Sequence, residues 1–353
     1  MKAIILAAGK GRRLRPLTHT GPKHLLPIAG KPVILYGIEK LKELGLKEIG
    51  IVIGYKKELI KGYLKDGKGF GVKIKYIVQE PQLGIAHAIK TAEKYIGNDE
   101  FIVYLGDNLI KSSLLPFYEE FINNREISAL ILLAKVREPQ RFGVAVLEGN
   151  KVIKLVEKPK EKISDLALVG IYFLRKEIFE AINNIKPSWR GEYEITDALQ
   201  WLIDHGYRVE ARLIKGWWAD TGTDIDLIEA NYLILSELGE SFNKGTIKNS
   251  KIIGKVKIEE NTVIENSVIR GPCFIGKGCR IKDAIVGPFV SIGNNCKIER
   301  AEINNSIILD ECKISCRKRI VDSIIGSYSI VKENKREVCR FVTGDFSQIE
   351  VGL

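Results

Sequence analysis

The chain has one methionine, four histidines and no long apolar run. A bilayer span needs about 20 consecutive apolar residues, so no membrane partner is expected. The first apolar segment, residues 3–8, is too short for a signal peptide and charged residues follow at once. A cytoplasmic protein is therefore expected. The histidines, His19, His24, His87 and His205, offer no convincing partner for a nucleophilic Ser or Cys. Two phosphate-binding motifs are also missing. The triplet GK[ST] that ends a P-loop occurs nowhere, and a GxGxxG fingerprint starting at Gly9 fails because position 14 is leucine. All six cysteines lie in the last quarter, and no CxxC pair is followed by a second, which argues against a zinc ribbon.

What is present describes a folded, basic, two-domain protein. With 353 residues, 45% hydrophobic and 28% charged, the chain can bury two ordinary cores. Its formal charge of +11 suits a partner that is a polyanion, either nucleic acid or a nucleotide or sugar phosphate. Nucleic-acid binding predicts basic residues interleaved with stacking aromatics. Here the basic residues are scattered, apart from the loop after the first strand and the run Arg317–Lys318–Arg319. No nucleic-acid partner is expected.

Two textures divide the chain. Over residues 1–240 apolar runs such as KAIILAA, IGIVIG, VKIKYIV and FIVYLGD read as buried strands. They alternate with PVILYGIEKLKEL, KKELIKGYLKD and GIAHAIKTAEKY, whose apolar residues recur at helical spacing. That alternation predicts α/β architecture, a mostly parallel sheet covered by helices on both faces. Ligands of such sheets bind at the carboxyl ends of strands, where AAGKGRR and LGDN fall. A helix entered at Thr223 then leads to a boundary near Gly239–Gly245.

Beyond it, short Ile and Val runs repeat. Ile258, Ile275, Ile292, Ile308 and Ile325 are spaced by 17, 17, 16 and 17 residues. Four positions after each stands a small residue: Thr262, Cys279, Cys296, Cys312 and Ser329. Such a period predicts stacked coils, with three of the cysteines in an inward ladder and no chemistry required of them. IGKGCR and IGNNCK resemble the hexapeptide repeat of left-handed parallel β-helices. Residues 245–353 are expected to form that domain, with a short C-terminal tail.

The opening loop carries the most specific signal. Gly9 and Gly11 let backbone approach a phosphate, and Arg12 and Arg13 add fixed charge. LAAGKGRRLRPLT and PKHLLPIAGKPVI resemble the signature of sugar-1-phosphate nucleotidyltransferases. VQEPQLGIAHAI, YLGDN, RFGVAV, VEKP, RGEYEITD and WWADTGT follow in order. KHLLPI, LGDN and RGEYEITD look nearest to the glucose-1-phosphate thymidylyltransferase branch, and the closing GDFSQIEV to its long form. The family usually carries Thr where Arg12 stands.

The resemblance implies a Rossmann-like domain over residues 1–240 that joins dTTP to glucose 1-phosphate and releases pyrophosphate, with UTP as the alternative nucleotide. The cofactor implied is Mg2+, held by Asp107 and Asp220. Magnesium takes one or two carboxylates plus substrate phosphates, so two suffice. Arg13 and Lys23 would meet the triphosphate, together with Leu6, Ala8, Gly9, Gly11 and Arg12. Gln79 and Gly84 would meet the base, and Asp107 also lies on the nucleotide side. Lys158 would grip the sugar phosphate and Glu157 the sugar hydroxyls, with Gly143, Tyr172, Thr196 and Trp218 completing the sugar site. The implied catalytic set is Arg13, Lys23, Asp107, Lys158 and Asp220. An acyltransferase activity in the β-helix is the alternative for that domain. Hexapeptide acyltransferases usually use a histidine there, and this chain has none beyond His205. The exposed ends of a coil stack predict a homo-oligomer.

Overall fold

The computed structural model describes residues 1–333. The segment GDFSQIEV and Cys339 lie outside the described residues. Two compact units emerge. The first comprises Met1–Lys10, Gly21–Leu25 and Val33–Asp220; the second comprises Gly11–Thr20, Leu26–Pro32 and everything from Thr221 on. Two short N-terminal segments thus belong with the C-terminal unit.

The first unit is built on nine strands: β1 (Lys2–Ala7), β2 (Glu48–Ile53), β3 (Lys73–Val78), β4 (Phe101–Leu105), β6 (Ile127–Lys135), β7 (Gly143–Glu148), β8 (Lys151–Glu157), β9 (Leu166–Leu174) and β10 (Arg208–Leu213). A separate two-stranded piece pairs β5 (Asn108–Ile110) with β11 (Trp218–Asp220). The large sheet runs β3-β2-β1-β4-β9-β6-β10-β8-β7, and only β9 and β8 oppose the common direction.

Why the first strand is one continuous apolar run is plain from its two faces. Ile4 and Leu6 enter one core, while Ala3, Ile5 and Ala7 enter the other. Helices α1 (Val33–Glu43), α2 (Lys57–Leu64) and α5 (Leu115–Asn123) cover the second face; α3 (Ile85–Thr91), α4 (Glu93–Ile96), α6 (Glu177–Asn184) and α7 (Ile195–Asp204) cover the first. One expectation needs correction. VKIKYIV is an edge strand rather than a buried one, with Lys73, Lys75 and Val78 exposed. Its alternating lysines suit an edge, where charge discourages pairing with another chain.

The second unit begins with α8 (Asp224–Ser236), capped as expected by the Thr223 hydroxyl, which accepts from the Asp226 N–H. Three parallel sheets follow, each taking one short strand per coil. On the first sheet Ile258, Ile275, Ile292, Ile308 and Ile325 are stacked in register, the set the spacing predicts. Thr262, Cys279, Cys296 and Cys312 are fully buried. Each donates to a carbonyl of the next coil: Thr262 to Gly276, Cys279 to Gly293, Cys296 to Leu309 and Cys312 to Gly326. The ladder thins at its end, where Ile325 and Ser329 are only half-buried.

Coil corners need left-handed backbone, and Asn249, Asn266 and Asp283 supply it at one corner with φ of 44°, 47° and 50°. Their side chains form a further ladder: Asn249 donates to Asn266, and Asn266 to Asp283.

This unit also holds the hairpin Pro27–Ile28 with Lys31–Pro32. Its two-residue tip, Ala29 and Gly30, has φ of 48° and 79°, the doubly positive pattern of a type I′ turn.

Candidate active site

At the carboxyl ends of β1 and β4 the chain makes two turns that are bonded together: Gly106 N–H donates to the Leu6 carbonyl at 2.9 Å. Tyr55 N–H donates to Ala8, and Gln79 N–H to Ile53, so the ends of β1, β2 and β3 are also joined. Asp107 follows Gly106 and is buried, at 9% exposure. Its Oδ2 accepts from the Lys23 ammonium. Its Oδ1 accepts from Asn108 Nδ2 at 3.3 Å. Burial is the largest influence and would raise the Asp107 pKa, but the Lys23 charge, the adjacent His24 and the hydrogen bonds to the carboxylate together outweigh it and hold the carboxyl at about 2. Gly9 adjoins this pair: a Cβ there would make ordinary contact with Lys23 Cε at 3.7 Å.

Asp220 is the cross-strand partner of Asn108, one residue from Asp107. The same short ladder places Trp218 opposite Ile110, and the indole donates to Asn108 Oδ1 at 2.6 Å. The two acidic residues expected to share a metal are thus neighbours across one ladder. Among the described residues no group of three or more His, Cys, Asp or Glu gathers. That donor set suits a hard cation that completes its shell with phosphate oxygens and water.

A second cluster forms around Glu157. It is paired in register with Gly143, where a Cβ would meet Thr196 Cγ2 at 2.7 Å and Glu157 Oε2 at 2.9 Å. Only glycine fits. Thr196, in the first turn of α7, donates to Glu157 Oε2 at 3.3 Å, and Arg190 donates to Oε1 at 3.4 Å. Arg190 also pairs with Glu194 at 3.2 Å, and Glu194 accepts from the Ser188 hydroxyl at 2.9 Å. Burial and the Glu194 charge raise the Glu157 pKa. Lys158 turns the chain with φ of 42° and donates its N–H to the Phe142 carbonyl. Phe142 meets Trp218 edge-on at 5.1 Å. Tyr172 is buried in β9, and its phenol pKa is raised by burial and by Glu157.

Gln79 is 97% buried, by its 3% exposure, and its amide nitrogen donates to the Gly84 carbonyl at 3.1 Å and faces His87 Nδ1 at 3.1 Å. Gly84 has φ of 101°, and a Cβ there would sit 2.6 Å from the Tyr193 carbonyl. The strip Leu83–Ala86 pairs with Tyr193 through bonds of 2.8 and 3.1 Å. Two quoted motifs, QLGIAHAI and RGEYEITD, are therefore bonded to each other.

Gly11, Arg12 and Arg13 belong with the second unit. Gly11 has φ of 60° and starts a turn of 3-10 helix, Arg12–Leu14, which is closed by Thr18 donating to the Gly11 carbonyl at 2.8 Å. Leu14 is buried, whereas both arginines are exposed.

Sequence reading missed Arg190, His87, Asn108 and His24, although each lies inside a quoted motif. His24 is 1% exposed, its Nδ1 has no hydrogen-bond partner, and burial with the Lys23 charge pushes its pKa down to about 3. It is a neutral ring beside the Lys23–Asp107 pair.

Residues 2–237 match the nucleotidyl transferase family. The chain belongs to that family. Residues 233–299 match a second family, the GlmU-like C-terminal hexapeptide. The nucleotidyl transferase chain is 42% identical to a glucose-1-phosphate thymidylyltransferase of Streptomyces antibioticus, over 99% of both chains. It is also 42% identical to the low-salt glycan biosynthesis nucleotidyltransferase Agl11 of Haloferax volcanii, over 99% of this chain and all of that one. Among solved structures, one from Bacillus anthracis assigned to glucose-1-phosphate thymidylyltransferase superposes with a TM-score of 0.62 at 42% identity. It covers 66% of this chain and 94% of that one. The α/β class and the hexapeptide β-helix follow from these matches and the observed sheets. None of the helices among the described residues is long and apolar enough to cross a membrane.

Proposed function

We propose that this nucleotidyltransferase transfers a thymidylyl group from dTTP to glucose 1-phosphate. The observation that carries the reading is the Lys23–Asp107 pair at the carboxyl ends of β1 and β4, with Asp220 on the adjoining ladder. A phosphate oxygen of the sugar phosphate attacks the α-phosphorus, the bond to the β-phosphate oxygen breaks, and pyrophosphate leaves. The attacking oxygen is already anionic, so no side chain need remove a proton. The work left to the protein is alignment of two polyanions and neutralisation of charge.

Asp107 and Asp220 would hold Mg2+, which supplies charge to offset the polyphosphate oxygens. Lys23 balances Asp107, and Arg12 and Arg13 would bind the triphosphate through exposed guanidinium groups on the glycine loop that follows Leu6 and Ala8. Glu157, oriented by Thr196 and Arg190, would accept from sugar hydroxyls, with Gly143 leaving room for the Glu157 and Thr196 side chains. Lys158, Tyr172 and Trp218 complete that side of the site.

Base choice follows from Gln79. Its amide nitrogen is already committed to Gly84 and faces His87, so its carbonyl oxygen is the atom to offer a ligand. An acceptor selects a base with N3–H, thymine or uracil, and disfavours cytosine, whose N3 is itself an acceptor. The thymine methyl is worth only about 1–3 kcal/mol in an apolar pocket, so preference for dTTP over UTP rests on the relatives. Self-association is part of this reading, since the ends of a coil stack offer unpaired strand edges.

The test is pyrophosphate release with dTTP, UTP, CTP, ATP and GTP against several sugar 1-phosphates. Rapid release with dTTP or UTP and glucose 1-phosphate, and little with CTP, is the expected pattern. Silence with every pair would end the reading. A second activity, acyl transfer by the β-helix, has the hexapeptide match in its favour, but all four histidines precede that domain. Acetyl-CoA with an amino-sugar phosphate should give no turnover.

A further inference from the structure

Asn231 lies in the middle of α8 and is fully buried. Few polar side chains here are so enclosed, and both ends of its amide are hydrogen-bonded. Oδ1 accepts from the Ala29 N–H at 3.1 Å and from the Ser291 hydroxyl at 2.5 Å. Nδ2 donates to the Phe289 carbonyl at 3.3 Å. One amide thus ties the hairpin tip to two points on a β-helix coil.

Around it the hairpin is seated without slack. A Cβ at Gly30 would stand 2.1 Å from the Phe274 ring, so that ring lies directly on the glycine backbone. Tyr232, beside Asn231, packs on Phe289 with ring centroids 4.2 Å apart. Further along the coils Leu17 reaches Gly326: its Cδ2 is 3.8 Å from where a Cβ would be. The hairpin segment 26–32 is therefore bonded to a β-helix coil, and segment 11–20, which groups with the same unit, sets Leu17 beside another coil. Residues 21–25, which carry Lys23, are bracketed in the chain by these two segments.

We propose that Asn231 is a positioning residue for the triphosphate loop, so that the β-helix serves the transfer reaction by holding the segments of its own unit, 11–20 and 26–32, that flank Lys23 in the chain. The proposal rests on the reading of Arg13 and Lys23 as phosphate-binding groups. Its physical basis is the cost of a broken network: removing the amide leaves the half-buried Ala29 N–H and Phe289 carbonyl without the partner they have here. The hairpin tip would be relieved of that by loosening. A small displacement of a positioning group is enough to cost about a hundredfold in rate.

The test uses the full chain with Asn231→Ala and, as the milder change, Ser291→Ala, which removes one donor and leaves every backbone partner. Hydrogen exchange should rise in 11–20 and 26–32 of both variants, more in the first, and stay unchanged in β1 and β4. In the transfer assay kcat/KM for dTTP should fall about tenfold or more for Asn231→Ala, while KM for glucose 1-phosphate moves by less than about twofold. Asn231→Leu, which fills the space without the hydrogen bonds, should not rescue either readout. Unchanged exchange in 11–32 would overturn the proposal, as would equal losses for both substrates. If the native enzyme turned over no nucleotide, the substrate reading would fall, and the exchange arm would still decide the coupling.

Discussion

Asp107 carries a charge where desolvation opposes one, and Lys23 is what makes that tolerable. Asp107→Asn keeps the shape and removes the charge; turnover should fall by at least about a hundredfold while circular dichroism stays native. Full activity would remove Asp107 from the metal site. Lys23→Met removes the opposite charge from the Asp107 carboxylate, and breaking a buried ion pair by removing one partner costs about 3–5 kcal/mol. The sign with pH follows from linkage. The Asp107 pKa is depressed, so its contribution is present above the ordinary carboxylate value and lost as pH falls toward about 2. Urea midpoints of Lys23→Met should therefore approach the native ones as pH drops.

Glu157 has the opposite sign. Its pKa is raised by burial and by Glu194, so folding is penalised as pH rises from the ordinary 4.5 toward the folded value. Glu157→Gln should be more stable than the native chain at neutral pH and bind glucose 1-phosphate more weakly. A lower melting temperature at pH 7 would contradict this. Those two outcomes together would mean that stability is given up at Glu157 for the proposed sugar recognition.

Among the elements, the strands, helices and coil ladder were legible because each has a period that burial enforces. Ile258 to Ile325 stack because one face of every coil is inward, and a single misplaced residue would expose it. VKIKYIV misled because an apolar run does not say which strand is at an edge; its lysines were the available signal. Asp107, Gln79 and Glu157 could be picked out only through their motifs. Arg190 opens one of those motifs too, but its bond to Glu157 joins separate elements and leaves no spacing from which to read its role. Nor could the hairpin's attachment to Asn231, a partner 202 residues away from Ala29.

The cysteine ladder yields an element-scale prediction. Cys273, Cys279, Cys296 and Cys312 are buried, and burial pushes the Cys273 thiol up to about 12. Thiolate is the reactive form. In native protein a thiol reagent should label Cys316, which is half-exposed, and spare those four until denaturant is added. Rapid native labelling of Cys296 would mean that the coils open.

Over the whole molecule, the +11 charge is spread across many solvated lysines, and only its local density after β1 singles out polyanions. Screening sharpens this: kcat/KM for dTTP should decline steadily as salt rises toward 0.5 M, since the Debye length contracts to a few ångströms, about 3 Å at 1 M. Arg12→Thr should flatten that slope. A salt-independent rate would assign the charge to solubility alone.

The interleaving of the two units has a consequence for how the chain is made. Segments 11–20 and 26–32 leave the ribosome first, yet their seats, Phe274, Phe289, Ser291 and Gly326, are synthesised last. The sheet of the first unit can assemble around β1 and β4 while those segments still hang loose. Segments 11–20 and 26–32 therefore reach their final packing only after most of the polypeptide has been made.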